Sequence, residues 1–172
     1  MRGKRIVLTS DDTMMSSYHG GVMLGFAAIM PTRVLPDWVF RQFFCPPVPA
    51  NEDGSALIAP CGMRKVEAAL LDSGFSRDEV MVAHPHHLEK ALGPKTEIVG
   101  ITHDDPMGKI AFRELEDIIG RGPPHNRSKF TALLRHPLIQ NQHAVRRQIV
   151  IAREGLGRQE VVHRLVKGDP DG

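Results

Sequence analysis

Short apolar runs alternate with amphipathic stretches along this chain. Residues 4–9, KRIVLT, are a β-branched apolar run bounded by polar residues, the pattern of a strand buried on both faces. Residues 62–74, GMRKVEAALLDSG, set Met63, Val66, Ala69 and Leu70 at three- and four-residue spacing with charges between them. They close on a glycine suited to a helix C-terminus, so this stretch predicts a helix. A second strand is expected over 79–83 (EVMVA), then a short helix over 86–92 that Gly93 and Pro94 end. Further strands are expected over 97–102 (EIVGIT) and 148–152 (QIVIA), and further helices over 110–119, 128–135 and 159–166. Strands alternating with helices at this spacing imply right-handed crossovers and a mainly parallel sheet covered on both faces. The fold class expected is a doubly wound α/β domain.

Residues 10–59 break the alternation. They are rich in Gly and Pro, with one expected short helix at 37–44, and so read as an irregular insertion of the kind that often carries function. The 172 residues suffice for one domain with a sizeable core, and one domain spanning 1–172 is the expectation.

Composition narrows the class. A hydrophobic fraction of 41% with 24% charged residues is ordinary for a globular protein. The longest apolar run, near Gly21 to Met30, is far shorter than the roughly 20 residues of a membrane span. The segment MRGKRIVLTS passes straight into a strand-like run without a cleavage site, so it does not read as a signal peptide and a cytoplasmic location is expected. Cys45 and Cys61 could form at most one disulfide; in that compartment they are expected to be reduced, as small buried hydrophobes. The net charge of +2 is nearly balanced and aromatics are few, so the basic residues of the last third (Arg146, Arg147, Arg153) read as a solvated face and no nucleic-acid partner is expected.

In open α/β sheets the ligand crevice lies beyond the C-terminal ends of the strands. Three segments should share that edge: 9–17 after the first strand, 102–108 after the third and 152–157 after the fourth. The first, TSDDTMMSS, offers hydroxyls and carboxylates, with turn capping by Ser10, Asp11 and Asp12 as the plain alternative. In the second, His103, Asp104 and Asp105 are competent toward a polar ligand or a metal, but no second His or Cys lies at a diagnostic spacing, which favours a turn with a surface histidine. His84, His86 and His87 point in different directions at a helix start and read as exposed. A Gly-x-Gly-x-x-Gly turn, a phosphate-loop lysine and a Gly-x-Ser-x-Gly elbow are all absent, so the common nucleotide and hydrolase readings lose ground.

The ordered segments RIVLTSDDTMMSSYHGGVMLGF, LPDWVFRQFFCPPVP, APCGMRKVEAALLDSGF, VMVAHPHHLEKALGP and IVGITHDDPMGK, spanning roughly residues 4 to 139, resemble the N-terminal region of a family of cobalamin-binding-domain radical SAM proteins. The resemblance implies a flavodoxin-like, Rossmann-like domain of the cobalamin-binding type. In such proteins it holds cobalamin over the iron-sulfur cluster and SAM of a radical SAM domain, commonly for methyl transfer. Carried over by position, the corrin would lie against Thr9, Ser10, Asp11, Thr13 and Ser16 after the first strand, and Thr102, His103, Asp104, Pro106 and Gly108 after the third.

The chain departs from the family pattern in three places. The cobalamin signature Asp-x-His-x-x-Gly is absent, so the sequence nominates no histidine as cobalt ligand. The Cys-x-x-x-Cys-x-x-Cys cluster motif is also absent, and two cysteines cannot supply three thiolates, so the radical SAM domain would have to be a partner in cis or in trans. Arg153 and Glu154 stand where the family has a Gly-Gly-Pro-Gly turn. Two further readings stay open: a non-catalytic interaction module that kept the fold and lost the ligand, and a small hydrolase or nucleotide-binding enzyme centred on Asp11, Asp12 and His103.

Overall fold

Four of the apolar runs lie side by side and point the same way. In the computed structural model, which describes residues 3–105, 122–144, 148–153 and 161–162, β1 (Ile6–Thr9), β2 (Val80–Val82), β3 (Ile98–His103) and β4 (Gln148–Arg153) pair in parallel. A two-residue strand β5 (Val161–Val162) pairs antiparallel with β4, and the sheet order is β2-β1-β3-β4-β5. Ile6 sits opposite both Val80 and Ile98, and His103 opposite Arg153, so the strand ends are nearly level. The expectation of a helix over 159–166 is corrected at Val161 and Val162. Two adjacent β-branched residues pair with Ala152 and Ile151 at the sheet edge instead. The helix expected over 110–119, Pro106, Gly108 and residues 154–157 lie outside the described residues.

Alternation along the strands divides the core between two faces. Val7, Met81, Val99 and Ile101 face one side, with Leu88 and Ala91 of α3 (Leu88–Ala91), Phe130 and Leu133 of α4 (His125–Leu134), and Ile139 of α5 (Pro137–Ala144). Ile6, Leu8, Val80 and Val82 face the other, under Met63, Val66 and Leu70 of α2 (Cys61–Asp72). These are the residues whose helical spacing marks an apolar stripe. The α2 crossover from β1 to β2 and the α3 crossover from β2 to β3 thus lie on opposite faces, and the sheet is covered on both sides. The protein is an α/β protein. At Gly100, inside β3, a Cβ would come within 2.7 Å of the end of the Leu8 side chain on the neighbouring strand, which would have to shift.

Helix α4 begins three residues before the expected position. Pro124, with φ −68° and ψ 159°, is extended and fixes the start at His125. The insertion has a small core of its own. α1 (Asp37–Val39) runs into a wide π turn at Phe40–Phe44, and Phe40 and Cys45 pack with Ala27 and Ala28. It is tied to α4 by His125, which stacks on Phe40 at 4.0 Å and bonds the Leu35 carbonyl through Nε2 (2.7 Å), and by Lys129, whose Nζ lies 2.5 Å from Asp37 Oδ1. Among the described residues no helix is long and apolar enough to cross a membrane.

Candidate functional site

Order β2-β1-β3 places β1 between strands reached by crossovers on opposite faces. Where the crossovers on either side of a strand lie on opposite faces, a crevice opens at the strand ends, and open α/β sheets take their ligands there. Asp11 and His103 meet at that point. His103 is fully buried, Asp11 is 1% exposed, and Nε2 lies 3.1 Å from Asp11 Oδ2. The two atoms lack the alignment of a hydrogen bond, so both are buried polar atoms without one.

The surrounding backbone fixes the pair. Asp11 Oδ1 accepts hydrogen bonds from the Thr13 amide (2.8 Å) and hydroxyl (2.6 Å), and the Asp11 carbonyl accepts the Met15 amide, closing a turn right after β1. His103 Nδ1 accepts the Asp105 amide at 2.9 Å, which leaves the hydrogen of the neutral ring on Nε2, toward Asp11. Phe130 of α4 meets the ring edge-on at 4.6 Å. Burial alone would lower the His103 pKa; the facing Asp11 carboxylate and the nearby Asp104 more than offset it and hold it above the ordinary histidine value. Burying two such groups costs several kcal/mol. The apolar strand residues beneath, at about 1.5–3 kcal/mol each, are what hold the pair in place.

Most of the hydroxyls expected to contact a ligand are turned inward. Thr9 Oγ1 donates to the Ala83 carbonyl and Ser10 Oγ to the Thr102 carbonyl, stitching β1 to its neighbours. Thr13 serves Asp11. Ser16 Oγ donates to the Pro46 carbonyl and accepts the Tyr18 amide. Thr102 is buried, while Asp104 is exposed on the rim. The structure thus brings Asp11 and His103 together, and it overturns the surface placement of His103. It gives Thr9, Ser10, Thr13 and Ser16 structural bonds in place of free hydroxyls, because buried polar groups at a strand end need partners.

The loop after β2 belongs to the same rim, and the sequence reading passed over it. β2 is parallel to β1, so residues after Ala83 must emerge beside those after Thr9; that inference was available from the strand pattern alone. His84 is buried rather than exposed. Its Nδ1 accepts the His86 amide at 3.0 Å, and burial, reinforced by His86 and His87, lowers its pKa. His86 Nε2 lies 2.7 Å from Asp12 Oδ1. Burial pushes the Asp12 carboxyl up, but His86 outweighs it and the net shift is downward. Tyr18 packs against the small core of the insertion. Its backbone and that of His19 are in the left-handed region (φ 45° and 51°), and Tyr18 is held there by its hydroxyl, which donates to the Thr13 carbonyl at 2.6 Å.

Cys45 donates to the Asp12 carbonyl, and its buried thiol is pushed up to about 11, first by desolvation. Cys61 corrects the expectation of a buried pair. It is the exposed first residue of α2, and both thiols are free. Among the described residues no group of three His, Cys, Asp or Glu side chains is disposed to hold a metal ion.

No protein-family model, no curated protein and no solved structure matches this chain.

Proposed function

We propose that this chain is a cofactor-holding module that seats cobalamin over the C-terminal ends of β1 and β3. In this reading it presents the corrin to a radical SAM domain, in cis or in trans, with its iron-sulfur cluster and SAM. The observation that carries the reading is the meeting of the β1 and β3 loops, with Asp11 and His103 buried and facing each other at the point where the strand order reverses. The parallel order β2-β1-β3-β4 is the one flavodoxin-like domains use, and the ordered segment resemblance supports the same assignment.

The residues present are compatible with such a group. Asp12, His86 and Asp104 stand on the rim where the amide-bearing periphery of a corrin would lie, above the buried Asp11 and His103. When bound, cobalamin supplies the methyl-transfer or related radical chemistry, and the chain supplies orientation and exclusion of water.

The small-hydrolase alternative draws less support. Both nitrogens of His103 are committed, one to the Asp105 amide and one toward Asp11, and the fully buried ring offers none to a substrate. The interaction-module alternative draws on one observation: the insertion exposes Met23, Phe26, Trp38 and Phe43.

The test is to mix purified protein with hydroxocobalamin, desalt, and record the visible spectrum. Corrin absorbance retained at about one equivalent supports the reading. A colourless protein fraction refutes it and leaves the interaction module.

A further inference from the structure

β2 is the outermost strand on its side of the sheet, so one of its edges lacks a neighbouring strand. The ladder decides which groups that edge presents. The Ile6 amide donates to the Glu79 carbonyl and the Ala83 amide to the Leu8 carbonyl, so Glu79, Met81 and Ala83 turn toward β1 while Val80 and Val82 turn away from it. Two of the outward groups are bonded: the Val80 amide donates to the Ser76 carbonyl (3.2 Å), and the Val82 carbonyl accepts the Ala56 amide (2.9 Å). Among the described residues the Val80 carbonyl and the Val82 amide have no partner, although Val82 is only 2% exposed. An open backbone amide in so buried a residue is rare.

This edge borders a cavity of about 280 Å³. Its walls are α2, through Arg64, Glu67 and Leu71 on one helix face, and the loop 51–57, and Lys4 and Arg77 also line it. The charges there are unevenly spent. Glu67 pairs with Arg64 at 2.8 Å and Asp53 accepts the Ser55 amide and hydroxyl, whereas among the described residues no carboxylate forms an ion pair with Lys4 or Arg77. The surplus is positive and suits an anion.

Ala56 decides how a chain could enter. Ser55 and Ala83 form an antiparallel bridge, which sets Ala56 opposite Val82, but the Ala56 carbonyl accepts from the Arg64 guanidinium and leaves the Val82 amide open. A strand added antiparallel to β2 would need a residue of its own opposite Val82, and Ala56 holds that place. A parallel strand needs one residue, opposite Met81, whose N–H meets the Val80 carbonyl and whose carboxyl carbon bears the acceptor for the Val82 amide. Ala56 bars the next position, so the added chain ends there.

We propose that the β2 edge binds the C-terminal residue of an extended peptide running parallel to β2, its amide on the Val80 carbonyl and its terminal carboxylate on the Val82 amide. Preceding acidic side chains of the peptide would meet Arg77 and Lys4, which lie before β2 and β1. This joins strand addition at a sheet edge to capture of a chain end. It is independent of the corrin rim.

The experiment is fluorescence anisotropy of the full chain with the peptide Glu-Val-Glu-Val, fluorescein-labelled at its N-terminus. The expected result is saturable binding that weakens at least about ten-fold when the peptide C-terminus is amidated, and several-fold when its last amide is N-methylated or in Arg77→Glu. In ¹⁵N-valine-labelled protein the Val82 amide resonance moves downfield on binding, while that of Val80, already bonded to Ser76, moves little. Equal affinity for the free acid and the amide, shifts confined to valines outside β2, or absence of saturable binding each overturns the proposal. A Val82 shift produced equally by acetate means that a free carboxylate suffices, and overturns the strand pairing. A Val82 shift on concentrating the protein alone assigns the edge to a second copy of this chain and overturns the peptide as occupant.

Discussion

Removing the Asp11 carboxylate tests the physics of the site without any ligand. Asp11→Ala deletes the acceptor of both Thr13 bonds and leaves His103 Nε2 buried opposite nothing. Breaking a buried pair from one side costs about 3–5 kcal/mol, a large part of a domain's stability of roughly 5–15 kcal/mol. Asp11→Asn keeps an oxygen for Thr13 and removes the charge, so its cost is smaller, about 1–3 kcal/mol.

The pH dependence separates charge from packing. In the folded chain the His103 pKa is raised, because Asp11 and Asp104 outweigh burial. The stability this contributes is fully present below the unfolded histidine value of about 6.5 and is lost as pH rises through the higher folded value. Without the carboxylate, burial prevails and that contribution disappears. Urea unfolding followed by far-ultraviolet circular dichroism should therefore show a larger gap between wild type and Asp11→Asn near pH 5.5 than near pH 9. His84 and His125, both lowered by burial, are common to the two proteins and cancel in the difference. A gap that is equal at both pH values, or wider at the alkaline one, would refute Asp11 as the cause of the raised His103 pKa.

Three further outcomes follow from the geometry. An aromatic-disulfide thiol reagent should titrate Cys61 at once and Cys45 only after denaturant is added, since Cys45 is buried with its thiol pushed up to about 11; simultaneous reaction of both would contradict the packing. Phe40→Ala removes a fully buried ring stacked on His125 and should cost about 3–5 kcal/mol. Hydrogen exchange should show protection lost around residues 27–45 while β1 and β3 keep theirs, and equal loss in the strands would show that the insertion is not a separate packing unit. Gly54→Ala forces a side chain into φ +86°, with the new Cβ 3.1 Å from the His87 carbonyl, and should cost about 1–2 kcal/mol and lower the thermal midpoint by several degrees. An unchanged midpoint would show that this turn does not brace the β2 loop.

The strands were the most legible part of the chain. IVLT, VMV, IVGITH and QIVIA lie in runs apolar at nearly every position, and only burial on both faces of a parallel sheet accounts for that pattern. Helix α2 was equally plain from its spacing. The Val161–Val162 pair was not, because a two-residue strand has no period of its own and takes its state from the neighbour it meets. Within the site, Asp11 and His103 were visible as residues leaving two strand ends. Their contact depended on β1 and β3 being neighbours, and the alternation of elements does not state strand order.

The sequence by itself therefore determined the kind of layer structure and the edge at which polar chemistry gathers, because hydrophobic periodicity and chain direction are local properties. Only the tertiary structure decided which of those polar groups are spent. The hydroxyls of Thr9, Ser10 and Ser16 turn onto backbone carbonyls, His84 goes inside, and His86 is held by a carboxylate 74 positions before it. The physical reason is that a buried donor or acceptor must find its partner wherever the fold places one, and these partners belong to segments far apart along the chain.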